Sequence, residues 1–128
     1  KDVFRRNYEL HYPKQIDIHA MRTAAAYLKG THDFTSFSSI HSTQRSHIRT
    51  ISSTEIEQLD PDGHRIRLAL TGNGFLYNMV RIITGTLLEV GTGKLSESDI
   101  PKILSAEDRS EAGPTAPGHG LYLWEVFY

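Results

Sequence analysis

One arginine inside a long apolar segment is the residue of this sequence best suited to chemistry. Arg81 lies within residues 75–90, whose apolar positions recur at helical spacing. Its neighbours on the same predicted helix face, Tyr77 and Gly85, cannot neutralise a guanidinium. An unpaired buried charge is very costly. We therefore expect a carboxylate or a phosphate from elsewhere to meet Arg81. The alternative is a side chain that reaches water along the polar edge of the helix.

Glycine positions predict close approaches near this arginine. Gly85 is costly in a helix, by about 1 kcal/mol relative to Ala, so something is expected to approach the helix there. Residues 112–120 contain three glycines and two prolines, which fix a defined backbone path. Such a path could bring Leu121 or a backbone amide against a ligand. A plain, well-defined turn has the same composition.

A histidine, a carboxylate and two aromatic rings follow the first predicted helix. They are His32, Asp33, Phe34 and Phe37. Such a group can stack on a nucleic-acid base and hydrogen-bond to it. It can also be structural, with His32 and Asp33 capping local backbone groups while Phe34 and Phe37 fill the core. The residue types fit both interpretations.

Several residues that can carry positive charge lie within the polar segment 31–47 or just after it. We predict that this segment is a long loop. Arg45 and Arg49 can hold phosphate at any pH, whereas His41 and His47 can do so only when protonated. A solvated surface loop is equally consistent. The two histidines do not have a zinc-site spacing and the chain has no Cys, so we predict no metal site.

The elements that position these residues follow from periodicity and turn signals. Asp17 is a candidate N-cap for the first helix, and residues 60–63 form a turn that makes a hairpin. The predicted strands cover residues 4–12, 49–58, 65–71 and 121–127, and the predicted helices cover 18–28, 75–90 and 96–104. This order predicts an α+β fold for residues 1–128 as a single domain. A mainly antiparallel sheet is covered by helices on one face.

Length and composition limit the possible classes of protein. The 128 residues, 38% of them hydrophobic, suit one domain with its own core. A net charge of −1 means that nucleic-acid binding must rest on local patches. The sequence has no membrane-length apolar run and no signal-peptide pattern, and its lack of Cys fits a cytoplasmic location. It does not begin with Met, and we expect it to be part of a longer protein.

A set of short sequence blocks runs in order over nearly the whole chain. They are residues 30–37 (GTHDFTSF), 49–51 (RTI), 75–81 (FLYNMVR), Gly85, 90–91 (VG), 108–109 (DR), 112–117 (AGPTAP) and 120–121 (GL). In this order the blocks resemble the C-terminal half of TruA-type tRNA pseudouridine synthases. The blocks together are far more specific than any one of them.

The resemblance implies an enzyme that isomerises uridine to pseudouridine at positions 38 to 40 of the tRNA anticodon stem-loop. Members of this family use no metal or organic cofactor. They are homodimers whose joint cleft binds tRNA, and their target nucleotide must leave its stack. The resemblance also implies that the sheet of this chain extends a matching sheet in an N-terminal half. We expect that half to precede the chain.

The resemblance assigns Arg81 as the partner of the catalytic aspartate. In the family that aspartate lies in a Gly-Arg-Thr-Asp-x-Gly-Val-His block, and a base-packing tyrosine lies in a later block. Neither block occurs here. We therefore expect that this chain carries part of an active site and does not catalyse alone. An aspartate paired with Arg81 would be held ionised and oriented.

The resemblance also indicates residues that meet the substrate. Leu121 matches an apolar residue near the target base, and His32, Asp33 and Phe34 match a family block expected on the tRNA-facing wall of the cleft. Tyr77 lies in the block that contains Arg81, and we expect it to contact substrate.

Two arginines complete the expected substrate contacts. We interpret Arg45 and Arg49 as phosphate ligands from their type and spacing, independently of the resemblance. The alternative for the whole chain is a non-catalytic α+β domain that binds RNA or another protein. A Gly-Arg-Thr-Asp block upstream of Lys1 would favour the enzyme.

Overall fold

A five-stranded antiparallel sheet forms the framework of the chain. The computed structural model describes residues 2–40, 43–118 and 121–127, with side chains for 3–40 and 43–118. The strands are β1 (Asp2–His11), β2 (Gly30–Asp33), β3 (Ile48–Gln58), β4 (Arg65–Gly72) and β5 (Leu121–Phe127). Their order in the sheet is β2-β3-β4-β1-β5, and every neighbouring pair is antiparallel.

The helices cover one face of this sheet. They are α1 (Ile18–Ala26), α2 (Met79–Gly91) and α3 (Asp99–Ala106), with short 3-10 turns at Thr35–Phe37 and Arg109–Glu111. α1 packs against β3 and against α2, and α2 packs against β1. Tyr8 lies opposite Leu68, and both belong to the buried cluster shared with the helices. The α+β prediction, with helices on one face, is confirmed.

The opposite face of the sheet is largely charged, and we call it the charged face. Strand alternation places one set of ionic side chains there, at register positions that adjoin across β1, β4 and β3. The set consists of Arg5, Glu9, Glu55, Glu57, Arg65 and Arg67.

One predicted cap and one predicted hairpin are confirmed. The Asp17 carboxylate accepts a hydrogen bond of 3.0 Å from the backbone N–H of Ala20, at the start of α1. β3 and β4 pair from Ile51 to Gln58 with one irregularity after Ile51, and the turn at residues 60–63 joins them.

Two predictions of local structure were wrong. Segment 31–47 is not all loop, because residues 30–33 pair with β3 as β2 and a 3-10 turn follows. This pairing is non-local, so the polar composition of the segment concealed it. α2 begins at Met79 rather than at residue 75, because Asn78 has a left-handed backbone with φ of 62°. A residue in that conformation cannot continue a right-handed helix.

The remaining helix boundaries differ slightly from the prediction. α1 ends at Ala26, and α3 begins at Asp99 rather than directly after Ser96. The Asp99 carboxylate nevertheless accepts a hydrogen bond of 2.8 Å from the Ser96 N–H. Within the described part of the chain, no helix is long and apolar enough to cross a bilayer.

Candidate functional site

Arg81 lies in the first turn of α2, and neutral oxygens hold its guanidinium. Its Nε donates a hydrogen bond of 2.8 Å to the Ala116 carbonyl, and its Nη1 donates one of 3.1 Å to the Asn78 side-chain oxygen. The side chain is half-buried. It therefore does not extend freely into water.

No carboxylate among the described residues forms an ion pair with Arg81. Both of its acceptors are uncharged, so they orient the guanidinium without neutralising it. Within residues 3–40 and 43–118, its Nη2 has no hydrogen-bond partner. The guanidinium thus keeps hydrogen atoms for a further acceptor.

A cavity of about 460 Å³ lies at this end of α2. The Arg6 guanidinium stacks over the Phe75 ring in its wall, 5.5 Å from the ring centroid. No acidic residue occurs among the described residues that line it. These are Arg6, Phe75, Leu76, Tyr77, Asn78, Met79, Val80, Arg81 and Gly118.

The close approach predicted at Gly85 is confirmed, and the chain itself makes it. A Cβ at Gly85 would lie 1.8 Å from the carbonyl oxygen of Pro114. A side chain at this position would force one of the two backbones to shift, so glycine is required for the observed contact. We call residues 113–118 the strap, because they cross α2 at this point and lead towards β5.

The strap is attached to the helix and to the sheet. Its Gly113 N–H donates to the buried Thr86 hydroxyl over 2.9 Å, and its Pro117 carbonyl accepts from the Tyr8 hydroxyl. Burial raises the pKa of the Tyr8 phenol, and the nearby positive charge of Arg81 partly opposes that rise. The predicted glycine- and proline-rich path is therefore a segment docked along its length.

His32 and Asp33 make local contacts. The His32 Nε2 hydrogen-bonds the Lys29 carbonyl over 2.8 Å, and therefore carries the proton. Asp33 accepts from the N–H of Thr35 over 2.9 Å and from its hydroxyl over 2.5 Å. The same hydroxyl lies 2.9 Å from Nδ1 of His47. Because its one hydrogen goes to Asp33, Nδ1 of His47 must be protonated.

Phe34 is fully buried, in contrast to the expectation that it meets substrate. Its exposed fraction is 0%, and its ring packs edge-on to that of Phe37, with centroids 6.4 Å apart. It belongs to the hydrophobic core, so no ring surface remains for a base. Both Phe34 and Phe37 are buried, as expected if they fill the core.

The expected phosphate ligands and Tyr77 lie at the surface. Arg45 is exposed, and Arg49 is half-buried and donates from Nη1 to the Ser46 and Ile48 carbonyls over 3.0 and 2.8 Å. The Tyr77 side chain is 67% exposed at the edge of the cavity. Of the predicted site residues, Arg81 and Tyr77 thus line one cavity.

Two sequence predictions concern residues beyond this description. The side chain of Leu121 lies outside the described residues, although its backbone opens β5 opposite Tyr8. His41 is likewise outside them. Within the described ranges, no group of three or more His, Asp or Glu side chains could hold a metal ion.

Sequence reasoning missed Asn78 and Tyr8 as partners of the site. Asparagine is one of the few residues that adopt a left-handed backbone, and it lies three residues before Arg81, which was the available signal. Tyr8 gave only the signal of a buried strand position. Its contact with the strap depends on a segment 109 residues away.

Comparison with known proteins places this chain in a family. The family model for tRNA pseudouridine synthase matches residues 24–128. A Bacillus cereus protein, tRNA pseudouridine synthase A 1, is 55% identical over 127 residues, which are 99% of this chain and 50% of that protein. The tRNA pseudouridine synthase A of Bacillus pumilus is 52% identical over 128 residues, covering 100% and 51% respectively.

A further relative agrees with these two. The tRNA pseudouridine synthase A of Bacillus subtilis is 50% identical over 127 residues, which are 99% of this chain and 50% of that protein. The chain therefore spans about half the length of the curated relatives that it matches. The matched residues include Arg81, Asn78 and the whole strap. The chain belongs to the tRNA pseudouridine synthase family.

Proposed function

We propose that the intact protein isomerises uridine to pseudouridine at positions 38 to 40 of the tRNA anticodon stem-loop. This chain supplies the arginine that pairs with the catalytic aspartate, and part of the tRNA cleft. The aspartate comes from residues upstream of Lys1. The intact protein acts as a cytoplasmic homodimer, without a metal or organic cofactor.

The observation that carries the proposal is the way in which Arg81 is held. Two neutral oxygens orient its guanidinium at a cavity whose described lining contains no acid. A partly buried cation in that state is stabilised when an anion enters the cavity. A carboxylate from another part of the protein meets this need, and a guanidinium can bind it through two parallel hydrogen bonds.

Such a pair suits the chemistry of the reaction. Isomerisation breaks the bond between the sugar and N1 of uracil and forms a bond from the sugar to C5. C5 loses its proton and N1 gains one, so atoms and electrons balance. The carboxylate must be ionised to act on the sugar. A guanidinium within hydrogen-bonding distance lowers the pKa of a carboxyl group and fixes its orientation.

The surface around the cavity suits an RNA strand that presents one base. Tyr77 is a highly exposed ring, and an exposed ring beside a cavity can stack on a neighbouring base. Arg45 and Arg49 supply positive charge for the phosphate backbone.

The remaining predicted site residues have different roles in this proposal. Leu121 packs near the target base at the start of β5. His32 and Asp33 support the wall of the cleft through the local contacts described above. Phe34 contributes only by filling the core beneath them.

Release of tritium tests the proposal, because the reaction removes the hydrogen from C5 of uracil. The intact protein should release tritium from tRNA that carries [5-³H]uridine at positions 38 to 40. tRNA with cytidine at these positions should release none. The 128-residue chain alone should be inactive, and addition of the upstream half should restore release.

Two results would contradict the proposal. Robust release by the isolated chain would show that it needs no carboxylate from outside. If the intact protein binds tRNA but releases no tritium, a non-catalytic RNA-binding role is favoured instead.

A further inference from the structure

The strap is joined to α2 at successive points that lead to Arg81. Its Gly113 end is hydrogen-bonded to Thr86, and its Pro114 carbonyl lies against the bare backbone of Gly85. One turn earlier along the helix, the Ala116 N–H donates to the Arg81 carbonyl over 3.0 Å. The Ala116 carbonyl accepts from Nε of the same arginine over 2.8 Å.

This double contact determines how the guanidinium lies. Nε has a single hydrogen, so its bond to Ala116 fixes one direction in the guanidinium plane. The Asn78 oxygen fixes a second direction through Nη1. The backbone of Gly118 lies over the group, since a Cβ at Gly118 would be 3.5 Å from the Arg81 Cζ. Movement of the strap would therefore rotate or displace Arg81.

Tyr8 attaches the strap to the sheet. Its ring is 2% exposed in the middle of β1, and its hydroxyl donates to the Pro117 carbonyl. Pro117 stands between Ala116 and Gly118, the two strap residues that contact the guanidinium. The phenol therefore holds the strap at the point where a small shift has the greatest effect on Arg81.

We infer that Tyr8 is a positioning residue, whose hydroxyl holds the strap at Pro117 and thereby sets the orientation of the Arg81 guanidinium. The inference rests on the proposed function, in which Arg81 faces the catalytic carboxylate. Tyr8 itself need not touch the substrate. A catalytic group misplaced by about 1 Å can cost on the order of 100-fold in rate, so loss of one attachment should be measurable.

The test is Tyr8→Phe in the intact protein, with tRNA as substrate and tritium release as the assay. This change removes one oxygen and keeps the ring that fills the core. We expect kcat to fall about tenfold, because the orientation of Arg81 is loosened, while KM for tRNA stays within about twofold. Tyr27→Phe is the matched control, because Tyr27 is 45% exposed at the end of α1 and should keep both constants.

Three results would overturn the inference. An unchanged kcat would show that the hydroxyl does not set the orientation of Arg81. A rise in KM alone would give Tyr8 a role in binding. A lowered melting temperature with unchanged kcat would give it a purely structural role.

Two further variants keep the test decisive. If Tyr8→Phe does not fold, Thr86→Val releases the strap at its other end, and the same criteria apply to it. Arg81→Ala separates the two levels of the argument. If Arg81→Ala is inactive and Tyr8→Phe is fully active, only the role of Tyr8 fails. If Arg81→Ala retains full activity, the proposed function fails as well.

Discussion

The arginines of the charged face and Arg81 meet opposite kinds of acceptor. On the charged face, three guanidinium groups pair with carboxylates of the same chain, at 3.1 Å and 3.4 Å for two of the pairs. Among the described side chains and backbone, Arg81 meets only a carbonyl and an amide oxygen. The three pairs are Arg5 with Glu55, Arg65 with Glu9, and Arg67 with Glu57.

Under the proposed function, this difference separates ion pairs that serve the fold from a positive charge that is kept for the reaction. The side chains of the paired arginines are 28% to 53% exposed, and exposed ion pairs contribute little to stability. They keep the uncovered face of the sheet polar. Neutral acceptors, in contrast, hold Arg81 in place and leave its charge available. A site that must receive a carboxylate needs this second arrangement.

Removal of the Arg81 guanidinium should have the largest effect. In the intact protein, we expect Arg81→Ala to lower kcat at least about 1,000-fold while tRNA binding is largely kept. The reason is that the proposed function assigns Arg81 to the carboxylate rather than to the phosphate backbone. Tritium release and filter binding measure the two quantities.

The control for this prediction comes from the charged face. Arg67→Ala removes an arginine whose partners, Glu57 and Glu9, lie in the same chain, and turnover should not change. If Arg81→Ala instead binds tRNA poorly and turns over bound tRNA normally, Arg81 is a phosphate ligand and the comparison fails.

Replacement of Arg81 by lysine should restore little of the turnover that Arg81→Ala loses. Arg81→Lys keeps the positive charge, but an ammonium cannot make the planar contacts to Ala116, to Asn78 and to a carboxylate at once. We expect kcat about 100-fold below that of the unchanged protein, with tRNA affinity retained. Near-normal turnover in this variant would show that charge alone suffices and that the orientation of the guanidinium is irrelevant.

A methyl group between α2 and the strap should cost stability. In Gly85→Ala the new Cβ meets the Pro114 carbonyl, so the strap must move and the core loosens. We expect the free energy of unfolding to fall by about 3 kcal/mol in urea denaturation. Gly93→Ala is the comparison, since nothing lies within 4 Å of that position and only its φ of 85° opposes alanine.

The two glycine variants should differ clearly. Gly93→Ala should cost roughly 1 kcal/mol, the cost of a left-handed alanine. Equal losses in both variants would mean that the strap does not press on α2 and cannot transmit position to Arg81.

The smallest effect is expected on the charged face. The hydrogen bond from Arg5 lowers the pKa of Glu55 below its ordinary 4.5, although desolvation opposes this. A lowered carboxyl pKa stabilises the fold above the unfolded pKa, and that stability is lost as the pH falls through the folded value. Glu55→Gln removes this titrating group, so the variant should lose less stability than the unchanged protein when the pH falls below about 4.5. The difference should be less than about 0.5 kcal/mol, because the pair is exposed.

Urea denaturation at pH 7 and pH 3 measures this change. Turnover at neutral pH should be the same in Glu55→Gln as in the unchanged protein. A large loss of turnover would mean that the charged face takes part in the reaction, against the comparison drawn above.

The parts of the fold with a local signal could be predicted from the sequence. Alternation gave β3 and β4, and helical spacing gave the buried residues of α2, Leu87 and Val90 among them. β2 was missed because its own residues are polar and carry no strand signal. It becomes a strand only through its pairing with β3. The start of α2 was misplaced because a backbone angle at Asn78, rather than hydrophobicity, ends the preceding segment.

For the candidate site, the sequence singled out Arg81 and Gly85 but not the contacts that hold them. The type and surroundings of Arg81 indicated an anion from elsewhere, and Gly85 indicated a close approach. Nothing in the sequence showed that the strap makes this approach, or that Tyr8 holds it. These contacts join segments far apart in the chain, so residue types alone could not reveal them. For Phe34, composition allowed two roles, and burial favours the structural one.

The central claim is that the counter-ion of Arg81 comes from outside this chain. A crystal structure of the intact protein measures it most directly, through the distance from the Arg81 terminal nitrogens to the nearest carboxylate oxygen. We predict an aspartate from the upstream half at about 2.8 Å, with the bonds to Ala116 and Asn78 kept. A guanidinium paired with an acidic residue of this chain, or turned into solvent away from the cavity, would contradict the claim.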